Sequence, residues 1–115
     1  MTVKYNKYKN KKTVIDGITF DSKKEAKRYQ ELKILEKKGE IVDLELQPKY
    51  LLQDKFECQG VKHRAIYYIA DFRYIDVESG QLIVEDVKGL LTEVFKIKEK
   101  LLLYKYGKEL TFRKI

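Results

Sequence analysis

The chain has very little of the residues that small proteins use for disulfides and zinc sites. Cys58 is the only cysteine and His63 the only histidine in 115 residues. One cysteine excludes an intramolecular disulfide, and one cysteine with one histidine excludes a zinc cage built from these two residue types. We therefore expect Cys58 simply to pack and His63, beside two basic residues, to face solvent or phosphate rather than to catalyse.

Long hydrophobic runs are also missing. No apolar stretch of the chain approaches the ~20 residues that span a bilayer. The N-terminus is rich in lysine but lacks the apolar segment of a signal peptide. The sequence thus predicts an intracellular, cytoplasmic protein without a membrane partner.

What the chain has in excess is positive charge. Its 25 Lys and Arg residues against 18 Asp and Glu residues give a formal charge of +7, which suits nucleic acid or an acidic membrane surface. Its 43% hydrophobic residues suffice for one modest core. We expect a flexible basic arm over residues 1–12, which either contacts DNA or only aids solubility, and a single domain over residues 13–115.

Local patterns predict the order of the elements. Asp16 and Gly17 between two short apolar runs predict a type I′ β-hairpin. Ser22 and Glu25 form a capping box, and Gly39 is a helix stop, so a helix is expected over residues 23–38. Three strand-like runs follow at about 49–58, 64–76 and 82–88, separated by glycine-containing turns that suit an antiparallel meander.

A second helix is expected over residues 93–106, between a Thr92 cap and Gly107, and a last strand over residues 110–112. The helix has an apolar stripe that we expect to face the core. The fold class is therefore α/β, one sandwich around a mixed sheet in the order helix, three strands, helix, strand. The stripe consists of Val94, Ile97, Leu101 and Tyr104, widened by Phe95 and Leu102.

Acidic residues follow two of the apolar strand-like runs. Asp71 follows residues 67–70, and Glu85 and Asp86 follow residues 82–84. Buried carboxylates cost several kcal/mol unless a cation compensates them, and paired carboxylates favour a hard divalent cation such as Mg²⁺. Because strand side chains alternate, Asp86 and Lys88 share a face, whereas Glu85 points away to a solvent-facing or structural role.

Each of these acids also has an ordinary structural interpretation. Asp71 at a strand end is also compatible with an exposed ion pair to a lysine, and Asp86 with Lys88 is compatible with a cross-strand salt bridge. Glu25 lies on the inward stripe of the first helix, which favours a third site acid, but the capping box alone also explains it. Gln47 before Pro48 is either a turn residue or a neighbour of the site.

The motifs resemble the PD-(D/E)xK nuclease superfamily. The segments FDSKKEAKRYQELKILEKKGEI, LQPKY, YIADFRY and IVEDVKG are similar to a small phage-associated group related to Holliday-junction resolvases and restriction-endonuclease-like proteins. The resemblance covers about residues 20–115 and implies a restriction-endonuclease-like αβββαβ core, here preceded by a short hairpin. It also implies a host-cell cytoplasmic location and a role in phage DNA recombination or processing.

The resemblance assigns roles to single residues. Asp71 and Asp86 correspond to metal ligands, Lys88 to the catalytic lysine, Glu25 to an auxiliary ligand and Gln47 to an active-site neighbour. Ala70 stands where the written motif has proline, which leaves the ligand in place. The implied cofactor is Mg²⁺, with Mn²⁺ expected to substitute.

The expected function is a Mg²⁺-dependent DNA endonuclease that acts on branched DNA, with a homodimer supplying two cuts. A non-catalytic DNA- or junction-binding module, a general nicking nuclease and an RNA-binding protein stay open as alternatives. Basic residues of the arm and the first helix are expected to hold the DNA backbone. They are Lys4, Lys7, Lys9, Lys11, Lys12, Lys23, Lys24, Lys27 and Arg28.

Overall fold

The computed structural model describes residues 12–87 and 91–115. Within these ranges the chain forms ten strands and two helices. They are β1 (Thr13–Ile15), β2 (Ile18–Phe20), α1 (Lys23–Lys37), β3 (Ile41–Leu46), β4 (Lys49–Gln53), β5 (Phe56–Cys58), β6 (Val61–His63), β7 (Ile66–Ile69), β8 (Phe72–Asp76), β9 (Leu82–Asp86), α2 (Glu93–Tyr106) and β10 (Thr111–Lys114).

A four-stranded mixed sheet forms the centre of the fold, in the order β10-β9-β8-β3. The β3–β8 and β8–β9 pairs are antiparallel, and β10 runs parallel to β9 after the crossover through α2. The prediction of an α/β protein with a mixed sheet is confirmed. β8 and β9 are its central strands, as the apolar composition of their sequence runs indicates.

The two helices cover opposite faces of this sheet. Strand alternation sends Ile83 into the core beneath α1 and Val84 into the core beneath α2. The first core is completed by Phe20, Ala26, Tyr29, Leu32, Ile41, Phe72 and Tyr74, and the second by Tyr50, Tyr68, Ala70, Phe95, Leu102 and Leu110.

Local signals fix the first part of the chain as predicted. Asp16 and Gly17 both have positive φ, 53° and 76°, which is what a type I′ turn requires. The Ser22 hydroxyl accepts the Glu25 N–H at 3.1 Å and caps α1. Gly39 adopts φ 77° just beyond the end of that helix.

The predicted first strand of the meander is wrong. The strand that pairs with β8 is β3, over Ile41–Leu46, for which the sequence indicated no element. Its charged residues Asp43 and Glu45 are exposed, and Asp43 has φ 57° at a bulge, as an edge strand permits. The run 49–58 instead supplies β4 and β5, which pair with β7 and β6 outside the central sheet.

The predicted core-facing stripe of α2 is also wrong. Val94, Ile97 and Tyr104 are 63%, 60% and 91% exposed, whereas Phe95 and Leu102 are buried against the sheet. The helix carries two apolar stripes, and tertiary packing selects one of them. Leu101 belongs to the exposed stripe as well.

Two further expectations concern single residues and the membrane. Cys58 is exposed rather than packed, because it lies on the β5–β6 hairpin and not in a core. His63 is exposed as predicted. No helix within residues 12–87 and 91–115 is long and apolar enough to cross a membrane.

Candidate metal centre

Two strand ends bring Asp71 and Asp86 together. Asp71 directly precedes β8, Asp86 ends β9, and the antiparallel register pairs Phe72 with Glu85. The Asp71 N–H donates to the Glu85 carbonyl at 3.1 Å, which extends the β8–β9 ladder to Asp71. The Val87 N–H then donates to Asp71 Oδ2 at 2.7 Å and holds the carboxyl group over the end of β9.

The two aspartate side chains are close enough to share a proton. Burial and a side-chain hydrogen bond with Asp86 raise the pKa of Asp71 to about 8, against the opposing effect of the Val87 N–H. Without a cation, the aspartate pair therefore holds a proton more tightly than an isolated aspartate does. Carboxylates forced together in this way are the arrangement that a divalent cation relieves by replacing the proton.

Tyr68 holds Asp86 in place. Asp86 is 1% exposed and Tyr68 is 2% exposed, and the Tyr68 hydroxyl donates a hydrogen bond to Asp86 Oδ2. Burial, followed by the contact with Asp86, raises the pKa of Tyr68, so the phenol stays a neutral donor. Sequence reasoning missed this residue, since nothing local links strand β7 to the end of β9.

Glu85 points to the opposite face from Asp86, as strand alternation predicts, and is fully buried. Arg28 of α1 donates to both of its carboxylate oxygens, from Nε at 2.7 Å and Nη2 at 2.6 Å, and the Tyr74 hydroxyl donates a further hydrogen bond. Of the two roles expected for Glu85, the structure shows the structural one.

Arg28, which the sequence predicts as a DNA contact, makes ion pairs within the protein. Besides Glu85, its guanidinium binds Glu31 at 3.0 Å, and these partners raise the pKa of Arg28 above its ordinary value. The ion pair with Glu85 anchors α1 to the central strand β9. Since Glu25 lies one turn before Arg28 on the same helix, the same anchor fixes where Glu25 stands relative to the site.

Glu25 and Gln47 lie at the edge of the site. Glu25 is half-buried in the first turn of α1, and its charge contributes to the raised pKa of Asp71. Gln47 is exposed with φ 52°, and its backbone N–H donates to the Asp71 carbonyl at 2.9 Å. The structure thus brings Asp71 and Asp86 together, leaves Glu25 near enough for its charge to act on Asp71, and places the Gln47 backbone beside Asp71.

Some of the basic residues predicted to contact DNA lie within the residues that the structure describes, and others lie outside them. Lys12, Lys23, Lys24 and Lys27 are exposed, the last three around Glu25 on α1. The predicted catalytic residue Lys88 lies outside the described residues, as do four predicted DNA contacts. These contacts are Lys4, Lys7, Lys9 and Lys11.

The ligand atoms that this site offers are of the chemical type that hard cations prefer. All three acids offer oxygen ligands, which Mg²⁺ prefers, and the Asp71 and Asp86 carboxyl groups are already in contact. Among residues 12–87 and 91–115 there is no group of three or more Asp, Glu, His or Cys side chains that meets a metal-binding geometry. The core of the site is therefore the aspartate pair, with Glu25 at its margin.

Fold and site together define an α/β protein with a buried pair of aspartates at the ends of two central strands. The chain belongs to a protein family described as being of unknown function, DUF1064, whose model matches residues 5–114. No curated protein and no solved structure matches the chain.

The crowded aspartates predict that the metal-free folded protein becomes less stable as the pH rises. Because the pKa of Asp71 in the folded protein, about 8, lies above its ordinary value of 3.8, the folded state binds this proton more tightly than the unfolded chain. The resulting stabilisation is complete below about pH 4 and is lost as the pH rises towards 8. Asp71→Asn removes this dependence.

Thermal melts in chelator between pH 5 and pH 8.5 measure the effect. We expect Asp71→Asn to melt roughly 5 °C or more above wild type at pH 8, since one pKa unit corresponds to about 1.4 kcal/mol. The exposed acid Asp21 provides the control variant Asp21→Asn, which keeps the wild-type slope. If the melting temperatures of Asp71→Asn and wild type changed in parallel with pH, the claim that Asp71 and Asp86 are crowded would be contradicted.

Proposed function

We propose that this protein is a Mg²⁺-dependent DNA endonuclease that hydrolyses phosphodiester bonds. The observation that carries the proposal is the contact between the Asp71 and Asp86 carboxyl groups at the ends of adjacent strands. A protein gains no stability from crowding two acids, so the arrangement favours a site that binds a cation. The resemblance to the PD-(D/E)xK nucleases supports the same assignment.

Each residue has a defined part in this proposal. Asp71 and Asp86 hold the cation with Glu25 as an auxiliary ligand, and the bound cation supplies the charge that activates a water molecule and polarises a phosphate. Tyr68 keeps the Asp86 carboxylate in one orientation. Lys88, assigned from the Asp-x-Lys spacing and the resemblance, positions the nucleophile or stabilises charge developing on the phosphate.

The DNA backbone is held by distributed positive charge. The chain carries a formal charge of +7, and Lys23, Lys24 and Lys27 are exposed around the first turns of α1, beside Glu25. Lysine contacts to phosphate are independent of base sequence and weaken with salt. The lysines of the N-terminal arm are proposed to add to the same interaction.

Branched DNA is the proposed substrate, and a homodimer is proposed to cut it. Resolving a four-way junction takes two symmetric cuts, and one chain has one aspartate pair. The exposed stripe of α2 offers a surface for a twofold contact between copies, because Val94, Ile97, Leu101 and Tyr104 are spaced by three, four and three residues, as in a two-helix seam.

The choice of divalent cation tests the proposed activity. We expect Mg²⁺ and Mn²⁺ to support cleavage of a labelled junction or duplex, and excess chelator to stop it. Ca²⁺ is expected to support binding with little turnover, because its longer and looser coordination positions water and phosphate poorly. Cleavage that persists after exhaustive chelation, while the no-enzyme control shows none, would contradict the metal mechanism.

A non-catalytic DNA- or junction-binding module is the second candidate function. It is favoured by the formal charge of +7 and the exposed lysines of α1, which bind phosphate without a cation. In that case the aspartate pair is a structural proton-sharing pair and the basic surface alone binds DNA. Tight DNA binding without cleavage in any of the three cations would select this function.

A further inference from the structure

A β-hairpin stands away from both cores of the protein. All twelve residues from 53 to 64 are exposed, although they contain the paired strands β5 and β6. The two strands join at Gln59 and Gly60, which have φ 51° and 77° and form a tight turn. The hairpin makes no contribution to either core cluster, so its side chains are available to a partner.

One face of this hairpin is apolar and aromatic. The pairs Phe56 with His63 and Cys58 with Val61 share a face, because side chains alternate along each strand. Phe56 and Val61 are 45% and 54% exposed. The rings of Phe56 and His63 stack, with centroids 4.5 Å apart and an angle of 12° between their planes.

In the stacked pair, each of the Phe56 and His63 rings covers one face of the other ring and leaves the second face uncovered. The charged side chains on the hairpin and at its base are Lys55, Lys62 and Arg64 against Asp54 and Glu57. Two-stranded hairpins are marginally stable alone in water, and exposed aromatic side chains on one of them indicate an interaction surface. Flat exposed rings, with Lys55 and Arg64 at the base of the hairpin, match bases attached to phosphates.

We propose that the β5–β6 hairpin is a platform on which unpaired DNA bases stack against the Phe56 and His63 rings. The proposal deepens the proposed function and rests on it, because it names the substrate class as DNA with bases displaced from the helix. Base stacking on aromatic side chains tolerates any sequence, so the platform selects DNA structure rather than sequence. Lys55 and Arg64, at the base of the hairpin, contact the adjacent phosphates, whereas Lys62 projects from the other face opposite Glu57.

The β4–β7 pair lies between the hairpin and the aspartate pair along the chain. β4 begins at Lys49, two residues after Gln47, and β7 ends at Ile69, two residues before Asp71. Lys49 lies over the ring of Tyr67 at 4.1 Å and extends the basic and aromatic character along this pair of strands. Ile69 is six positions after His63, so at ~3.3 Å per residue the two residues are at most about 20 Å apart.

This distance predicts where the displaced bases lie. At ~3.4 Å per nucleotide, about 20 Å corresponds to about six nucleotides from the cut phosphate. Branch points and bulges within that separation should therefore be preferred over continuous duplex.

Metal-free binding isolates the platform from the chemistry. The probes are a duplex with a three-nucleotide bulge that contains 2-aminopurine and a continuous duplex of equal length, titrated with the full chain in chelator. We expect Phe56→Ala to weaken binding to the bulged probe by about 5- to 140-fold, the range for losing a base stack. Binding to the continuous duplex should change less than about twofold.

Matched variants on the same hairpin complete the test. Val61→Ala trims an exposed apolar residue on the same face and should keep wild-type affinity for both probes, whereas Phe56→Trp should keep or increase affinity for the bulge. Quenching of 2-aminopurine on binding should occur with wild type and be lost in Phe56→Ala. Because Phe56 is exposed, thermal melts of all three variants should match wild type.

Three results would overturn the platform. They are equal binding by Phe56→Ala and wild type on both probes, an equal loss on both probes, and conversion of a dimer to a monomer by Phe56→Ala in sedimentation with unchanged DNA affinity. The last result would make the hairpin a contact between copies. The nuclease proposal fails separately, when wild type shows Phe56-dependent binding to the bulge but cleaves no probe in Mg²⁺ or Mn²⁺.

Discussion

Asp86→Asn is expected to abolish DNA cleavage, with a rate at least about 10³-fold below wild type. The substitution keeps the shape of the side chain and an acceptor for Tyr68 but removes the negative charge that a cation needs. DNA affinity should stay within about twofold, because binding is assigned to dispersed lysines such as Lys23, Lys24 and Lys27. Lys88→Ala is expected to be equally inactive.

Single-turnover cleavage of a labelled junction in Mg²⁺, beside metal-free binding of the same DNA, measures both parts of this expectation. Tyr68→Phe is the informative companion, since it removes only the hydroxyl that holds Asp86. Loss of such a supporting hydrogen bond typically costs 10- to 100-fold in metal affinity or activity, and added metal should recover part of it. Cleavage by Asp86→Asn above about a tenth of the wild-type rate would remove Asp86 from the site.

Glu85→Ala is expected to destabilise the protein by about 3 to 5 kcal/mol, the usual cost of breaking a buried ion pair. Arg28 would lose both of its bonds to the carboxylate while remaining largely buried. The Tyr74 hydroxyl would lose its partner as well. Urea unfolding followed by circular dichroism measures the change, read as a lower midpoint at constant slope.

Two further variants show whether the loss of stability comes from the ion pair or from any substitution in this region. Lys27→Ala, beside Arg28 but exposed, should change stability by less than about 0.5 kcal/mol. Replacing both partners, as Arg28→Met with Glu85→Leu, should recover most of the loss, because two apolar groups leave no charge unpaired. If Glu85→Ala were as stable as wild type and inactive, Glu85 rather than Asp86 would be the ligand.

Local sequence signals were enough for the elements that local chemistry controls. The Ser22 cap, the Gly39 stop and the Asp16-Gly17 turn each depend on neighbours within four residues, and each is found as predicted. The opposite orientations of Glu85 and Asp86 follow from strand alternation alone. The sequence predicted the aspartate contact from two adjacent strands that both end in acid, but the run before Asp71 is β7, which pairs with β4. The contact arises because Asp71 stands at the start of β8, which pairs with β9.

The errors share one physical cause, which is that tertiary contacts decide between locally equivalent choices. Strand β3 is an exposed edge strand whose Asp43 and Glu45 resemble a loop until β8 pairs with it. Helix α2 has two apolar stripes, and only packing selects the stripe with Phe95. For the same reason no local signal indicated the ion pair of Arg28, whose partner Glu85 is 57 positions away in sequence.

The most direct test of the account is a calorimetric titration of the metal-free protein with Mn²⁺. We expect wild type to bind Mn²⁺ in the absence of DNA, with an affinity that rises from pH 6 to pH 8 as the shared proton leaves Asp71. Asp71→Asn and Asp86→Asn should lose this binding, and the exposed control Asp21→Asn should keep it. Equal Mn²⁺ binding by all four proteins, or none by wild type, would contradict the metal centre.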